Sequence, residues 1–287
     1  MIQAFLLEPF ALGFMRRALA GCLALSVAGP PLGVFLVLRR MSLMSDVLQH
    51  GILPGIAIGA AIAGFSLVAM GLGGMAAGLA VALLAGWLSR VTRGREDSQL
   101  AGVYLLALAL GVILVSAQRG VDLSHLLFGN VLAVDDAALF AMAGVATITL
   151  PVLALIWRPL IMESMDPNFL AALGGKGGRW HLGFMALVVM CVVAGFTALG
   201  TLMSVGLMML PAIAARHVSA GLGGQIRAAV GLAIFSSYAG LLLSYHADLP
   251  TGPAIILTAG ACWSLLILAG PHDSLLQRLL RRPHYVR

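Results

Sequence analysis

Long uncharged stretches constrain the fold of this sequence more than any other feature. Seven stretches contain no Asp, Glu, Lys or Arg: Ala18–Leu38, Val47–Ser89, Ser98–Gln118, Ala137–Trp157, Trp180–Ala215, Ala228–Ala247 and Leu249–His272. A helix needs about 20 apolar residues to cross a bilayer. Only 10% of the residues are charged, whereas soluble domains carry roughly 25%. The chain is therefore predicted to be an integral membrane protein.

The lengths of these stretches predict an all-α, polytopic helix bundle with about nine spans. The second stretch is long enough for two helices that break near Gly64–Ser66, and the fifth allows two short helices that turn near Gly200–Thr201. If Thr201–Ala215 is instead a re-entrant half-helix, eight full spans remain. Residues 1–287 are predicted to form a single transmembrane domain, with no soluble domain on either side.

The distribution of basic residues predicts the orientation of the bundle, because cytoplasmic loops carry an excess of Lys and Arg. With nine spans and the N-terminus outside, Arg16, Arg17 and Arg119 lie outside. The other 14 of the 17 basic residues then lie inside: Arg39, Arg40, Arg90, Arg93, Arg95, Arg158, Lys176, Arg179, Arg216, Arg227, Arg278, Arg281, Arg282 and Arg287. We therefore expect an outside N-terminus and an inside C-terminus.

Small residues predict close helix contacts in the first half of the chain. Gly51, Gly55 and Gly59 recur at every fourth position, and Gly74 and Gly78 repeat the spacing. Such spacing lets two helix backbones approach closely in a membrane. With 35 glycines in the chain, chance occurrence of the pattern is the competing interpretation.

One polar stretch follows the first predicted span. RRMSLMSDVLQHGILPG carries Asp46 and His50 four residues apart, so both side chains lie on one face of a helix. A carboxylate and a neutral imidazole are suitable ligands for a divalent transition metal, and a carboxylate in a membrane normally faces a polar cavity or a partner. Two other interpretations stay open: Asp46 pairs with Arg39 or Arg40, and His50 bonds a carbonyl.

The inner segment of about residues 158–179 is predicted to contain a short amphipathic helix. Asp166 is a favourable N-cap and Pro167 suits the first helical position. Gly174 ends the helix, and its apolar side is formed by Phe169, Leu170 and Leu173. The partner of this side is either the lipid interface or another protein. The segment is no phosphate-binding loop, because Lys176 is followed by glycine rather than Ser or Thr.

Five stretches in order resemble the permease subunits of bacterial ABC importers for zinc, manganese and iron. They are GVFLVLRRMSLMSDVLQHGILPGIAIG, REDSQLAGVYLLALALGVILVS, DLSHLLFGNVLAV, MDPNFLAALG and SYHADLPTGPAIILTAG, between about Phe14 and Leu268. The resemblance implies a homodimeric pore in the bacterial cytoplasmic membrane, an extracytoplasmic metal-binding protein and a separate cytoplasmic ATPase. It also implies that the DPNFLAALG helix couples to that ATPase. His246, before ADLPTGP, is a departure, because this histidine is not expected in every member.

The resemblance leads to a set of expected roles. Asp46 and His50 are expected to contact the metal in transit, and Asp248 and His246, at an outer helix end, to receive it from the binding protein; a solvated loop is the alternative for the latter two. The cargo is expected to be Zn²⁺ or Mn²⁺, with iron possible, and no permanently bound cofactor is expected. The chain itself is expected to catalyse no reaction.

Two other functions remain as alternatives. An ion-coupled secondary metal carrier, acting without an ATPase, needs carboxylates inside the membrane for its coupling ion, and only Asp46 lies near a predicted span. A membrane-embedded metalloprotease needs HExxH or an equivalent ligand cluster, which the sequence lacks.

Overall fold

The computed structural model describes residues 8–64, 66–92, 96–117, 131–165 and 177–280. Within these ranges the chain forms helices and no strands. The α-helices are α1 (Gly13–Leu38), α2 (Met44–Gly51), α3 (Leu53–Ala63), α4 (Leu67–Thr92), α5 (Glu96–Ser116), α6 (Asp136–Met165), α7 (Gly177–Leu199), α8 (Thr201–Ala215), α9 (Leu222–Ala247), α10 (Thr251–Ala269) and α11 (Leu275–Leu280). The predicted all-α polytopic bundle is confirmed.

The described helices include seven segments that are long and apolar enough to cross a membrane. They are α1, α2 with α3, α4, α6, α7, α9 and α10. Two shorter apolar helices, Ala101–Ser116 of α5 and the whole of α8, lie at the two remaining positions where the sequence predicts a span. The 15 residues of α8 extend about 22 Å, less than the ~30 Å of the hydrocarbon core. The two predicted topologies, nine full crossings or eight crossings and a half-helix, therefore differ in how α8 is placed in the membrane.

The two predicted breaks within long apolar stretches lie at glycines. The α3 helix ends at Ala63, and Gly64 has a φ of 67°. Gly200, with a φ of 92°, separates α7 from α8. Residues with a Cβ atom rarely adopt a positive φ. Glycine at these two positions therefore allows the chain to turn between two apolar helices.

Two helix boundaries differ from the sequence-based expectation. The second span is interrupted after Gly51, where α2 gives way to α3, because Pro54 has no amide hydrogen to donate to the preceding turn. The α6 helix continues through Arg158 to Met165, so the inner segment expected from Arg158 onward is helical over its first eight residues. A single arginine at the membrane boundary did not end the helix.

Two ion pairs at opposite ends show that α1 and α6 run parallel. Arg17 near the start of α1 lies 3.2 Å from Asp136 at the start of α6. Arg39, directly after α1, lies 2.9 Å from Glu163 near the end of α6. A parallel arrangement requires an odd number of crossings between the two helices, and the three predicted between them (α2 with α3, α4 and α5) satisfy this requirement.

The predicted glycine contacts occur between α3 and α4. A methyl group added at Gly55 would collide with the backbone carbonyl of Gly73, and one added at Gly59 would collide with that of Ala69. The two backbones therefore touch directly, which only small residues allow. This closely packed pair directly follows α2, the helix that carries Asp46 and His50.

The α1 and α7 helices form the centre of the bundle. Of the residues in their most apolar windows, 72% and 67% are buried, against 22% for α4, α6 and α10. Phe35 of α1 and Phe184 of α7 are fully buried and contact each other edge to face. The α2 helix packs against α7 and also against α4, α5 and α8, so it lies beside this centre.

Candidate functional site

The α2 helix presents two kinds of side chain to its surroundings. Met44 and Leu48 are buried in the hydrophobic core and fix the helix against its neighbours. Asp46 lies toward the more accessible side, with 59% of its side chain exposed, and His50 is 29% exposed. The sequence prediction that Asp46 and His50 share one helix face is correct.

The distance between the two side chains suits joint ligation of an ion. Nε2 of His50 lies 3.9 Å from Oδ1 of Asp46, which is too long for a direct hydrogen bond. Metal–ligand bonds to histidine and carboxylate are about 2.0–2.2 Å. A histidine nitrogen and a carboxylate oxygen that bind the same ion are therefore at most about 4.3 Å apart, and the observed separation of 3.9 Å lies within that limit.

The other nitrogen of His50 is buried and has no hydrogen-bond partner among the described residues. Nδ1 of His50 makes no hydrogen bond in the described part of the chain, so the alternative in which this histidine bonds a carbonyl is not observed. The ring of Tyr104, from α5, lies beside it with a centroid separation of 6.4 Å. The imidazole therefore lies at the boundary of the core, and its Nδ1 is left without a partner by the part of the chain that the structure describes.

The hydrogen bonds of Arg39 exclude the alternative in which it pairs with Asp46. Nη2 of Arg39 donates to Oε2 of Glu163 at 2.9 Å, and Nε donates to Oγ of Ser164 at 2.9 Å. Nη1 donates to Nδ1 of His181 at 2.9 Å, because arginine has no acceptor. The Arg39 side chain is only 7% exposed and also covers the ring of Phe184 at 5.0 Å.

Arg39, Glu163, Ser164 and His181 are called the Arg39 cluster below. Its members come from the end of α1, the end of α6 and the start of α7. Ser164 in turn donates to the carbonyl of Leu160 at 2.6 Å. The donors of Arg39 are thus directed at three acceptors, and the ends of three helices are fixed to one another.

Asp248 and His246 lie at the C-terminal end of α9. Asp248 caps the helix in a left-handed conformation, with a φ of 50°, and its amide donates to the carbonyl of Ser244. Both residues are exposed, and the His246 ring contacts Tyr245 at 5.2 Å. No group of three or more His, Cys, Asp or Glu residues that could hold a metal ion occurs in the described part of the chain. One copy therefore does not join them to Asp46 and His50.

The predicted coupling residues lie outside the described residues. These are Asp166, Pro167, Phe169, Leu170, Leu173 and Gly174. The described helices on either side are α6, which ends at Met165, and α7, which begins at Gly177. The Arg39 cluster holds those two helices together close to both of these ends.

Sequence reasoning missed three residues beside Asp46 and His50. Ser45 and Gln49 of α2 are 0% and 3% exposed, and Tyr104 approaches His50 from α5. The spacing of Ser45 and Gln49, which matches that of Asp46 and His50, was a usable signal. The position of Tyr104 depends on packing between distant segments and had no signal in the sequence.

Comparison with known proteins agrees with the resemblance. The chain is 30% identical over 270 residues to the manganese transport system membrane protein MntC of Halalkalibacterium halodurans, covering 93% of this chain and 91% of that protein. It is 30% identical over 258 residues to the chelated iron transport system membrane protein YfeD of Yersinia pestis, covering 90% and 86%.

A solved structure extends the similarity to the fold. The structure of PsaBC from Streptococcus pneumoniae in complex with Fab matches with a TM-score of 0.84 and 28% identity, covering 97% of this chain and 100% of that chain. Residues 11–269 match the ABC 3 transport family. These matches confirm the resemblance predicted from the five stretches, and the chain belongs to the ABC 3 transport family.

Proposed function

We propose that this chain is the permease subunit of an ABC importer that carries a divalent transition metal, Mn²⁺ or Zn²⁺, with iron as a further candidate. A separate cytoplasmic ATPase supplies the energy, and an extracytoplasmic binding protein delivers the metal. The chain catalyses no reaction and holds no permanent cofactor, since the metal is its cargo. Family membership and relatives that carry manganese or chelated iron in their names support this proposal.

The Asp46–His50 pair is the observation that carries the metal specificity of the proposal. One carboxylate and one imidazole, 3.9 Å apart, lie on a short helix beside the core. Their separation allows both to bind one ion, and no basic side chain neutralises Asp46 within the described residues. A transport site has to bind its ion without retaining it, and a two-ligand contribution from one chain suits that need.

A second copy of the chain would complete the site. Two protein ligands leave a transition metal mostly open, and one copy supplies no third His, Cys, Asp or Glu among its described residues. Asp46 has 59% of its side chain exposed, so it remains available to an ion shared with another copy. We therefore propose a homodimer in which the two α2 helices face a common pathway.

The remaining roles follow the sequence-based expectations. Residues 1–287 form one permease domain in the cytoplasmic membrane, with the N-terminus outside and the C-terminus inside. Asp248 and His246, exposed at the end of α9, receive the metal from the binding protein. Labelling of a cysteine introduced at His284 tests the orientation. The cysteine should react with a reagent on the cytoplasmic side of the membrane and not with one added outside intact cells.

The segment at about 158–179 is proposed to contact the ATPase through Phe169, Leu170 and Leu173, with Asp166, Pro167 and Gly174 as its ends. Phe169→Asp should leave the permease inserted and dimeric but weaken co-purification with the ATPase. Lys176→Gln, a change in the same segment outside the apolar side, is the matched control. Undiminished complex formation by Phe169→Asp would assign that side to the lipid interface.

The secondary-carrier alternative is disfavoured because the described chain offers no shielded carboxylate that is available for a coupling ion. Of the acidic residues whose side chains the structure describes, Glu163 is the one mostly shielded from solvent, with 14% of its side chain exposed. It is committed to Arg39 at 2.9 Å. A carboxylate that is neutralised by a fixed arginine is a poor site for a coupling ion.

Uptake of radioactive Mn²⁺ and Zn²⁺ tests the proposed function. Cells that lack other importers should accumulate metal only when the permease, its ATPase and the binding protein are all present. Uptake should stop when the phosphate-binding lysine of the ATPase is replaced, and it should survive an uncoupler while ATP is maintained. Uptake that persists without ATP but collapses with the uncoupler would establish the carrier instead.

A further inference from the structure

The polar side chains of α2 form one continuous arc. Ser45, Asp46, Gln49 and His50 occupy positions within about 140° of the helix circumference, since successive residues are about 100° apart. Gln49 follows Asp46 by three residues and Ser45 by four, so its side chain neighbours both. These four residues are called the α2 polar face below.

The buried half of the α2 polar face has unused bonding capacity. Ser45 is 0% and Gln49 is 3% exposed, yet Oγ of Ser45 and Oε1 of Gln49 have no hydrogen-bond partner in the described part of the chain. Nδ1 of His50 is in the same condition. A buried polar atom without a partner lowers the stability of the folded state, and three such atoms lie on this one short helix.

Their concentration on α2 separates them from isolated cases elsewhere. Among the residues that the structure describes, the other buried side-chain polar atoms without a partner are Oγ1 of Thr149, Oγ of Ser236 and Nε1 of Trp263. These three lie on three different helices. Unpartnered buried groups that gather beside a carboxylate and an imidazole are typical of a place that receives a ligand.

The chemistry of these atoms bears on which metal fits. Adding an amide oxygen and a hydroxyl to one carboxylate and one imidazole gives a donor set of three oxygen-bearing groups and one nitrogen. Carboxylate, carbonyl and water oxygens suit Mn²⁺, which favours octahedral, oxygen-rich coordination. Zn²⁺ is usually four-coordinate and tetrahedral, with nitrogen and sulfur ligands preferred. Further neutral oxygens therefore favour Mn²⁺.

We propose that Gln49 and Ser45 supply neutral oxygen ligands beside Asp46 and His50 and make the permease prefer Mn²⁺ over Zn²⁺. This inference rests on the proposed metal-import function and adds two ligands and a preference among the candidate metals. Gln49 is the principal contributor, because it neighbours Asp46 on the helix and its amide oxygen has no other partner among the described residues. Ser45 extends the same face deeper into the core.

Direct metal binding tests this inference without the influence of the binding protein. The permease–ATPase complex in lipid nanodiscs is titrated with MnCl₂ while the free Mn²⁺ signal is followed by electron paramagnetic resonance, and ZnCl₂ serves as competitor. Gln49→Leu and Ser45→Ala are compared with wild type. Ser236→Ala is the matched control, because it removes an equally buried and unpartnered hydroxyl far along the chain from α2.

Gln49→Leu should weaken Mn²⁺ binding about tenfold, a usual effect of losing a group at a metal site, and Zn²⁺ binding much less. Ser45→Ala should change the Mn²⁺/Zn²⁺ ratio in the same direction by a smaller factor, and Ser236→Ala should not change it. Gln49→Glu keeps the length of the side chain and an oxygen donor, so it should retain Mn²⁺ binding even if Gln49→Leu folds poorly.

The outcomes separate the two proposals. Equal weakening of both metals by Gln49→Leu, an unchanged Mn²⁺ affinity, or loss of Mn²⁺ binding in Gln49→Glu would overturn the role of Gln49 while leaving metal import intact. If the wild-type complex binds neither metal and supports no ATP-dependent uptake, the proposed function itself fails.

Discussion

Two polar clusters occupy neighbouring parts of this bundle, and they differ in how completely their groups are paired. In the Arg39 cluster, a guanidinium that is 7% exposed donates to three acceptors, each at 2.9 Å. On the α2 polar face, which begins six residues later, three buried polar atoms have no partner among the described residues. The first cluster is closed by its own side chains, and the second is not.

The difference indicates what each cluster is for. A buried charge has to be paired and hydrogen-bonded, and removing one partner is strongly destabilising; a fully paired cluster therefore stabilises helix ends. Unpaired polar groups do not stabilise the fold, so their retention calls for a functional reason. We expect changes to the Arg39 cluster to act on stability and changes to the α2 polar face to act on metal.

The largest effect is expected from Asp46 and His50, the proposed metal ligands. Asp46→Asn and His50→Ala should each reduce uptake of the transported metal by more than about 100-fold, because the loss of a group that only supports a metal ligand already costs 10–100-fold, while expression and ATPase binding persist. Asparagine keeps the size of aspartate, so the change tests charge rather than packing. Asp136→Asn, at the start of α6, is the matched control and should transport normally.

This prediction has a clear contrary result. Near-normal transport by His50→Ala would remove both residues from the metal path. If instead Asp46→Asn lowered the folded yield and neutralising Arg40 restored it, an ion pair absent from the structure would have to form in the membrane.

The next effect concerns the Arg39 cluster. Arg39→Ala leaves the mostly shielded Glu163, whose side chain is 14% exposed, without its partner and should lower the free energy of unfolding by about 3–5 kcal/mol. The double variant Arg39→Leu with Glu163→Leu should recover much of this loss, because a buried ion pair replaced by apolar side chains is often neutral. Thermal unfolding of the purified permease measures both.

The comparison also predicts what Arg39→Ala should not change. The Mn²⁺ affinity of the folded fraction should equal that of wild type, since Arg39 contributes no donor to the α2 polar face. A tenfold loss of affinity with unchanged thermal stability would reverse the roles assigned to the two clusters.

A smaller effect separates two buried serines that are equally inaccessible, each 0% exposed. Ser26 of α1 hydrogen-bonds Ser237 of α9 at 3.1 Å, so Ser26→Ala should cost about 1 kcal/mol of stability. Ser45 has no partner among the described residues, so Ser45→Ala should cost nothing. Thermal unfolding of the two variants side by side distinguishes them, and an equal loss for both would show that Ser45 is bonded.

The smallest effect is expected at the exposed ion pair between Arg17 and Asp136. Its side chains are 53% and 68% exposed, with the charged atoms 3.2 Å apart. Pairs of this kind contribute roughly 0–1 kcal/mol, and salt screens them. Arg17→Gln should therefore shift the unfolding temperature little, and not at all in high salt. A shift as large as that of Arg39→Ala would contradict the expectation that the exposed ion pair contributes less to stability than the shielded one.

Much of the fold could be predicted because its signals are local. Uncharged stretches located the spans, and Gly64 and Gly200 supplied the two turns within them. The i, i+4 spacing alone was enough to place Asp46 and His50 on one helix face. Pro54 carried a usable signal for the interruption after Gly51, which a reading by hydrophobicity alone overlooked.

The rest depended on contacts between distant residues. Arg39 is separated from Glu163 by 124 positions, and no periodicity links the two, so the sequence left Arg39 as a candidate partner of Asp46. The burial of Ser45 and Gln49 could not be predicted from the sequence, because polar side chains on one side of an amphipathic helix are expected on its accessible side.

Pulsed electron paramagnetic resonance of bound Mn²⁺ tests most directly whether the α2 polar face, and not the Arg39 cluster, holds the metal. The wild-type complex should show a coupling to the ¹⁴N of an imidazole. That coupling should disappear in His50→Ala and persist in His181→Asn, whose histidine belongs to the Arg39 cluster. A ¹⁴N coupling that survives in His50→Ala, or one that is lost in His181→Asn, would contradict the assignment of the metal to the α2 polar face.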